Sequence, residues 1–166
     1  MFHLSPETDD DFWEVEYLYD LCFAPGREAL SSYRLRDDQA SLPDLSRMAR
    51  DELGVLAGAI RFWPIRIGPD LAPALLLGPI AVHPTRQGEG LAQALMTDGM
   101  NAAEDAGWQT IILIGDHSYY SRFGFERAEG IEFPPPTNPE RILVRHVNPD
   151  VDKPIGQVQK WAALPK

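Results

Sequence analysis

The stretch GPIAVHPTRQGEGLAQALM, Gly78 to Met96, constrains the fold more than any other part of the chain. An apolar run carries a proline, crosses a short turn, passes two glycines and enters a helical pattern. Proline removes a ladder donor inside a strand, and glycine weakens a helix interior. Both are tolerated where a strand breaks and a helix begins, so the stretch reads as strand, turn and helix start. Such a start leaves its first N–H groups unpaired and partly positive. Gly88, Gly90 and Ala92 are small and alternate with Gln87, Glu89 and Leu91, so an anionic group can approach the backbone closely. The pattern suits a pyrophosphate held by main-chain donors, with Arg86 and Gln87 as candidate side-chain contacts and Glu89 turned to solvent. Two better-known phosphate loops do not fit. A P-loop needs Gly-Lys-Ser/Thr, whereas Leu91 and Ala92 follow Gly90, and the dinucleotide fingerprint needs a third glycine where Gln93 stands.

The rest of the chain arranges itself around this unit. Residues 1–5 suit a short edge strand, and Thr8 caps a helix whose first turn carries Asp9, Asp10 and Asp11. Phe12, Val15, Tyr19 and Cys22 follow at helical spacing until Ala24-Pro25-Gly26 stops the element, and residues 27–36 suit a second short helix. DLSRMAR and GVLAGAIRFWPIRI read as a hairpin turning at Asp51-Glu52, and Gly68-Pro69-Asp70 is a turn. APALLLGPIAV is apolar on both faces and therefore a central strand. Residues 90–106 form a helix with Leu91, Leu95, Ala102 and Ala106 on one face, ended by Gly107. Then come a buried strand QTIILIG, a short helix through SYYSRF, a strand from Phe125, the loop FPPPTNP and a strand RILVRHV. The tail from Asn148 has no clear pattern beyond Val158 and Trp161 as docking residues. The strand–helix–strand unit should be a right-handed parallel crossover.

Composition narrows the function classes. A chain of 166 residues, 44% hydrophobic and 24% charged, suits one globular domain spanning 1–166. The net charge of −10 repels phosphate backbones, which argues against nucleic-acid binding. Cys22 is the only cysteine, so a reducing compartment is expected. MFHLSPETDDDF lacks the features of a signal peptide and the longest apolar run is interrupted by Pro and Gly, which points to the cytoplasm and away from a membrane. His3, His83, His117 and His146 are scattered without metal-ligand spacing, so no metal is expected. No serine stands in a G-x-S-x-G setting.

Gln87-x-x-Gly90-x-Ala92, after a strand ending AVHP, resembles the Q/R-x-x-G-x-G/A motif of the GNAT superfamily of acyl-CoA N-acyltransferases. LGPIAV resembles the central strand of one bacterial branch of predicted N-acetyltransferases, and GDHSYYSRFGF resembles that branch's next strand–helix junction. The close resemblance covers about residues 75–128; the flanks agree in element order. It implies a GNAT-like α/β fold: a mixed, mostly antiparallel central sheet with a splayed parallel strand pair, flanked by helices. The family's fourth strand carries a bulge, which gives Pro79 a place. In the resulting cleft the pantetheine arm of coenzyme A would bond main-chain groups around Ile80, Ala81 and Val82. Gln87, Gly88, Gly90, Leu91 and Ala92 would gather round its pyrophosphate.

The resemblance further implies acetyl-CoA as acyl-donor cosubstrate and direct transfer, in a ternary complex, to a primary amine on a small molecule or a protein. Tyr120, four residues before Gly124, matches the tyrosine that serves many members as general acid near the sulfur; Tyr119 is expected in the core. The chain also departs from the family. LLLGPIAV has no carboxylate where many members place a glutamate, and the usual Asn and Ala ahead of the tyrosine are missing. The base is therefore open among water, a backbone carbonyl and another element. Asp116 and His117 read as helix caps, His83 as a turn residue, Cys22 as a buried small residue, and Trp63 as core or acceptor wall. Residues 22–36 and 133–139 are the expected acceptor walls. A non-catalytic acyl-CoA sensor or interaction module stays open, as does a homodimer.

Overall fold

The computed structural model describes residues 1–23, 35–36, 39–135 and 137–161. Nine strands are assigned among them: β1 His3–Pro6, β2 Arg47–Arg50, β3 Leu56–Ile67, β4 Ala72–Val82, β5 Thr110–Ile114, β6 Glu126–Arg127, β7 Ile131–Glu132, β8 Ile142–His146 and β9 Gly156–Lys160. The helices are α1 Phe12–Cys22, α2 Leu91–Asp105 and the short α3 His117–Tyr120. Hydrogen-bonded strands follow the order β1-β2-β3-β4-β5-β8-β6, with β9 pairing both β3 and β7. Pairing is antiparallel except for β4 with β5 and β7 with β9. The expected mixed, mostly antiparallel sheet with a parallel pair is therefore present. No helix among the described residues is long and apolar enough to cross a membrane.

β3 is the hub, and its sequence shows why. LAGAIRFWPIRI is buried along nearly its whole length, as a strand covered on both faces must be. β2 pairs with its first half and β9 with its last residues, while β4 takes the other edge. Pro64 falls between the stretches paired to β2 and β9. There its missing donor is harmless, since the carbonyl on that edge receives Gln39 Nε2 at 3.3 Å instead of a strand. Opposite faces of the sheet carry separate layers. Phe62, Leu75 and Leu77 pack with Leu91, Leu95, Met96 and Met100 of α2, while Ala59 and Ala81 pack with Val15, Leu18 and Tyr19 of α1. Gly99 lets α2 settle onto Phe62, because a Cβ there would stand 2.6 Å from the ring.

Several details differ from the sequence reading. The buried stripe of α2 is Leu91, Leu95, Met96, Gly99, Met100 and Ala103; Ala102 is only half-buried and Ala106 is exposed. The stripe centres on Leu95, Gly99 and Ala103, which puts Ala102 toward its edge, and Ala106 lies past the last residue of α2 as its C-cap. Phe12 is not core: it is exposed on one side and stacks under the Arg61 guanidinium, 5.1 Å from the ring centre. Thr8 does start the first turn, where its N–H and hydroxyl both donate to Asp11 Oδ2 at 3.0 and 2.6 Å. The tail forms β9, invisible in the sequence because GQVQK has one apolar residue, Val158, to bury. Ala24-Pro25-Gly26 and most of the expected helix at 27–36 lie outside the described residues.

Candidate active site

Three pieces of backbone build the site. The first is the divergence of β4 from β5, which pair in parallel at Leu75–Ile111 and Leu76–Ile112 among the described residues. Beyond that point β5 continues to Ile114 against β8, while β4 runs on to Val82 against β3. The two parallel strands thus part company at the level of Leu77.

The second piece is a bulge in β4. Between Ile60–Ile80 and Phe62–Leu77, three steps along β4 answer two along β3, so the extra residue lies at Gly78-Pro79. The side-chain alternation is reset there: Leu75 and Leu77 point toward α2, and so do Ile80 and Val82. The bulge also decides which main-chain groups are left over. His83 N–H donates to the Ala57 carbonyl at 2.7 Å, marking 57 and 83 as a bonded pair. Bonded and non-bonded pairs alternate along an antiparallel ladder. Ala59–Ala81 is therefore the next bonded pair, and the N–H and C=O of Ile80 and Val82 face away from β3. Of the three residues singled out on this strand, Ile80 and Val82 offer main chain to the gap, whereas Ala81 spends its own on β3.

The third piece is the start of α2. His83 opens a 3-10 turn over Pro84–Arg86, its Nδ1 accepting from Thr85 N–H at 3.2 Å. Gln87 is extended and exposed, and Gly88 and Gly90 follow at φ +84° and +79°. A Cβ at either glycine would meet nothing within 4 Å, so φ rather than crowding demands glycine there. Ala94 N–H makes the first helical bond, to Gly90, and no side chain caps the start. The donors of Leu91 and Ala92 thus lead the helix, while the buried Leu91 side chain anchors it. Arg86 is not available as expected: it is held by Glu89 at 2.9 Å and Asp51 at 3.2 Å, with the Phe2 ring 4.6 Å away. Glu89 faces solvent but is tethered to that arginine. The positive end of this loop is main chain.

Tyr120 lies across the end of β5. A Cβ at Gly115 would come within 2.4 Å of the Tyr120 ring, so only glycine lets the phenol rest on the strand's last turn. The ring packs edge-on against Phe125 and Tyr119. Burial, followed by the neighbouring Tyr119 and Asp116, pushes the phenol pKa up, so it remains protonated at neutral pH. Tyr119, expected in the core, is instead half-exposed with Arg122 over its ring at 4.5 Å, whereas the partly buried Tyr120 packs against the core cluster. Asp116 caps nothing with its carboxylate, which takes Arg141 at 2.6 Å; only its carbonyl closes the turn, accepting from Tyr119 and Tyr120 N–H. His117 is exposed.

Other singled-out residues resolve as structure. Cys22 is half-buried, donates to the Val82 carbonyl at 3.4 Å, and has its thiol pKa pushed up by burial. Trp63 is buried and its indole N–H donates to the Gly78 carbonyl at 2.7 Å. Of the expected acceptor walls, residues 24–34 and 136 lie outside the described residues, while Phe133 is buried. Sequence reasoning missed the ion cluster of Arg61 with Glu7 and Glu16, although an arginine inside a run as apolar as GAIRFW is itself a signal of a buried partner.

Known proteins share this fold. The acetyltransferase (GNAT) domain profile matches residues 47–127. The chain is 30% identical over 114 residues to the uncharacterized N-acetyltransferase YhbS of Escherichia coli K12, covering 69% of this chain and 67% of that one. It is 33% identical over 132 residues to the uncharacterized N-acetyltransferase YjhQ of the same strain, covering 78% and 71%. Among solved structures, E. coli YhbS in complex with CoA superposes with a TM-score of 0.82 at 25% identity, over 96% of this chain and 89% of that one. A GNAT acetyltransferase from Brucella melitensis in complex with acetyl-CoA gives 0.75 at 28% identity, over 98% and 97%. A splayed β4–β5 pair, a glycine-led helix start and this kinship together make the chain a member of the GNAT acetyltransferase family.

Proposed function

We propose that the protein transfers an acetyl group from acetyl-CoA to a primary amine on a small molecule or a protein, directly, within a ternary complex. The observation that carries this reading is the pairing of an uncapped helix start with a parting strand pair whose Ile80 and Val82 main chain is turned into the gap. The N–H groups from Gly88 to Ala92 receive the diphosphate, with the exposed Gln87 side chain beside them. The Ile80 carbonyl and the Val82 N–H pair with the pantetheine amides as a strand would. The amine nitrogen attacks the thioester carbonyl, the C–N bond forms, and the C–S bond breaks with its electron pair leaving on sulfur. Tyr120, kept protonated by burial, donates to the departing thiolate. Its raised pKa lies above an ordinary thiol's, so a hydrogen bond to sulfur suits it better than complete proton transfer. The amine's own proton goes to solvent, since β4 offers no carboxylate.

That last feature also favours a second reading, an acyl-CoA sensor without turnover. The buried carboxylate Glu7 and the partly buried Glu16 of the neighbouring layer are both bound to Arg61. One experiment separates the two. Calorimetry with CoA and acetyl-CoA should give heat, and a panel of amines should release free thiol from acetyl-CoA. Heat without thiol release for any amine would favour the sensor, and no heat at all would remove both readings.

A further inference from the structure

The bulge that opens the cleft has dedicated supports. Gly78 and Pro79 lie where the β3–β4 register shifts, and their carbonyls are taken by aromatic side chains instead of a strand. Trp63 Nε1 donates to the Gly78 oxygen at 2.7 Å, and the Tyr19 hydroxyl donates to the Pro79 oxygen at 2.8 Å. Tyr19 comes from α1 and is wholly buried. Its ring lies 5.2 Å from the Arg61 guanidinium, and Arg61 is fixed in turn by both oxygens of Glu7, at 3.0 and 2.9 Å, and by Glu16. An ion cluster, a phenol and a peptide oxygen therefore stand in line.

The Pro79 oxygen and the Ile80 N–H are the two ends of one peptide group. The first accepts from Tyr19, and the second faces away from β3 into the gap. A hydrogen bond accepted at the oxygen strengthens the same amide as a donor and fixes its plane. We propose that Tyr19 is a positioning residue for acyl transfer: held at its oxygen by Tyr19, the Pro79–Ile80 peptide directs the Ile80 N–H at the thioester carbonyl oxygen and polarises it. Trp63 keeps the preceding peptide from turning with it. This rests on the acetyl-CoA reading above, and what it adds is that a buried α1 side chain, Tyr19, sets the direction of that main-chain donor.

The test uses infrared spectra of acetyl-CoA labelled with carbon-13 at the carbonyl. Bound to the wild-type protein, the thioester carbonyl band should fall below its free position. Tyr19→Phe keeps the ring and loses the hydroxyl. It should return most of that displacement while CoA affinity stays within about twofold, and turnover should fall about two- to tenfold without change in KM for acetyl-CoA. Leu18→Ala, on the same buried face of α1, should destabilise the fold and leave the band at the wild-type position. A band unmoved by Tyr19→Phe, or moved equally by Leu18→Ala, overturns the proposal. Should Tyr19→Phe not fold, 3-fluorotyrosine placed at position 19 retains the shape with a stronger donor, and it should deepen the displacement; an unchanged band overturns the proposal equally. Failure of the wild-type protein to bind acetyl-CoA is a separate result, and it would take down the function reading underneath.

Discussion

The loop from Gln87 to Gly90 and the bulge at Gly78-Pro79 both set main-chain groups where a regular element would not, by opposite means. The loop is exposed, with open space around both glycines, and its shape comes from two positive φ angles. The bulge is packed from within: Trp63 and Tyr19 come in from β3 and α1 and take its carbonyls. One is a local device that glycine alone supplies. The other depends on residues 15 and 60 positions away along the chain. The loop can change shape with little effect on the core, whereas a change at the bulge is felt as lost stability, because a buried carbonyl without a donor is expensive.

Mutations should split along that line. Replacing Gly88 and Gly90 together by alanine places two L-residues at positive φ, at about 1–2 kcal/mol each. An exposed loop relaxes instead of bearing that strain, so calorimetric affinity for CoA should fall at least about tenfold while the melting temperature hardly moves. A melting temperature lowered in step with affinity would break the distinction. Trp63→Phe should do the reverse. Leaving the Gly78 carbonyl unpaired should reduce stability in urea by about 1–3 kcal/mol, with the smaller part of the change appearing in CoA affinity.

Gly115→Ala probes the far lip of the cleft. Its Cβ would overlap the Tyr120 ring, so the phenol must swing away. Turnover with any active amine should drop about tenfold, with a stability loss of about 1–2 kcal/mol from overpacking. The smallest effect is expected at Arg86, whose charge is already engaged by Asp51 and Glu89. Arg86→Ala should change CoA affinity by no more than about twofold, as for an exposed ion pair. A tenfold loss would show that the arginine leaves those carboxylates to reach phosphate, and the loop would then depend on side chains after all.

Most of the framework was legible because it is periodic or punctuated. The apolar run 72–82, the hairpin before it and the helix after it follow from local patterns, and the glycines mark the helix start directly. The bulge at Pro79 was expected through the family resemblance, which gave a proline inside a central strand its place. Tyr119 was misplaced because one turn of helix decides its face. Tyr119 and Tyr120 are adjacent, and α3 is too short for periodicity to choose between them; Gly115, at the end of another element, makes the choice. β9 was missed since its pairing, not its composition, makes it a strand.

The sequence by itself determined the order of elements, the break in β4 and the positive-φ turn ahead of α2, since these follow from φ limits, missing donors and apolar spacing within a few residues. Tertiary structure decided which carbonyls the bulge leaves over, that Tyr19 and Trp63 are the side chains that reach them, and that Arg86 belongs to Glu89 and Asp51. Those outcomes depend on strand register and on how α1 lies across the sheet. Both are set by the joint burial of distant side chains, which no local pattern records.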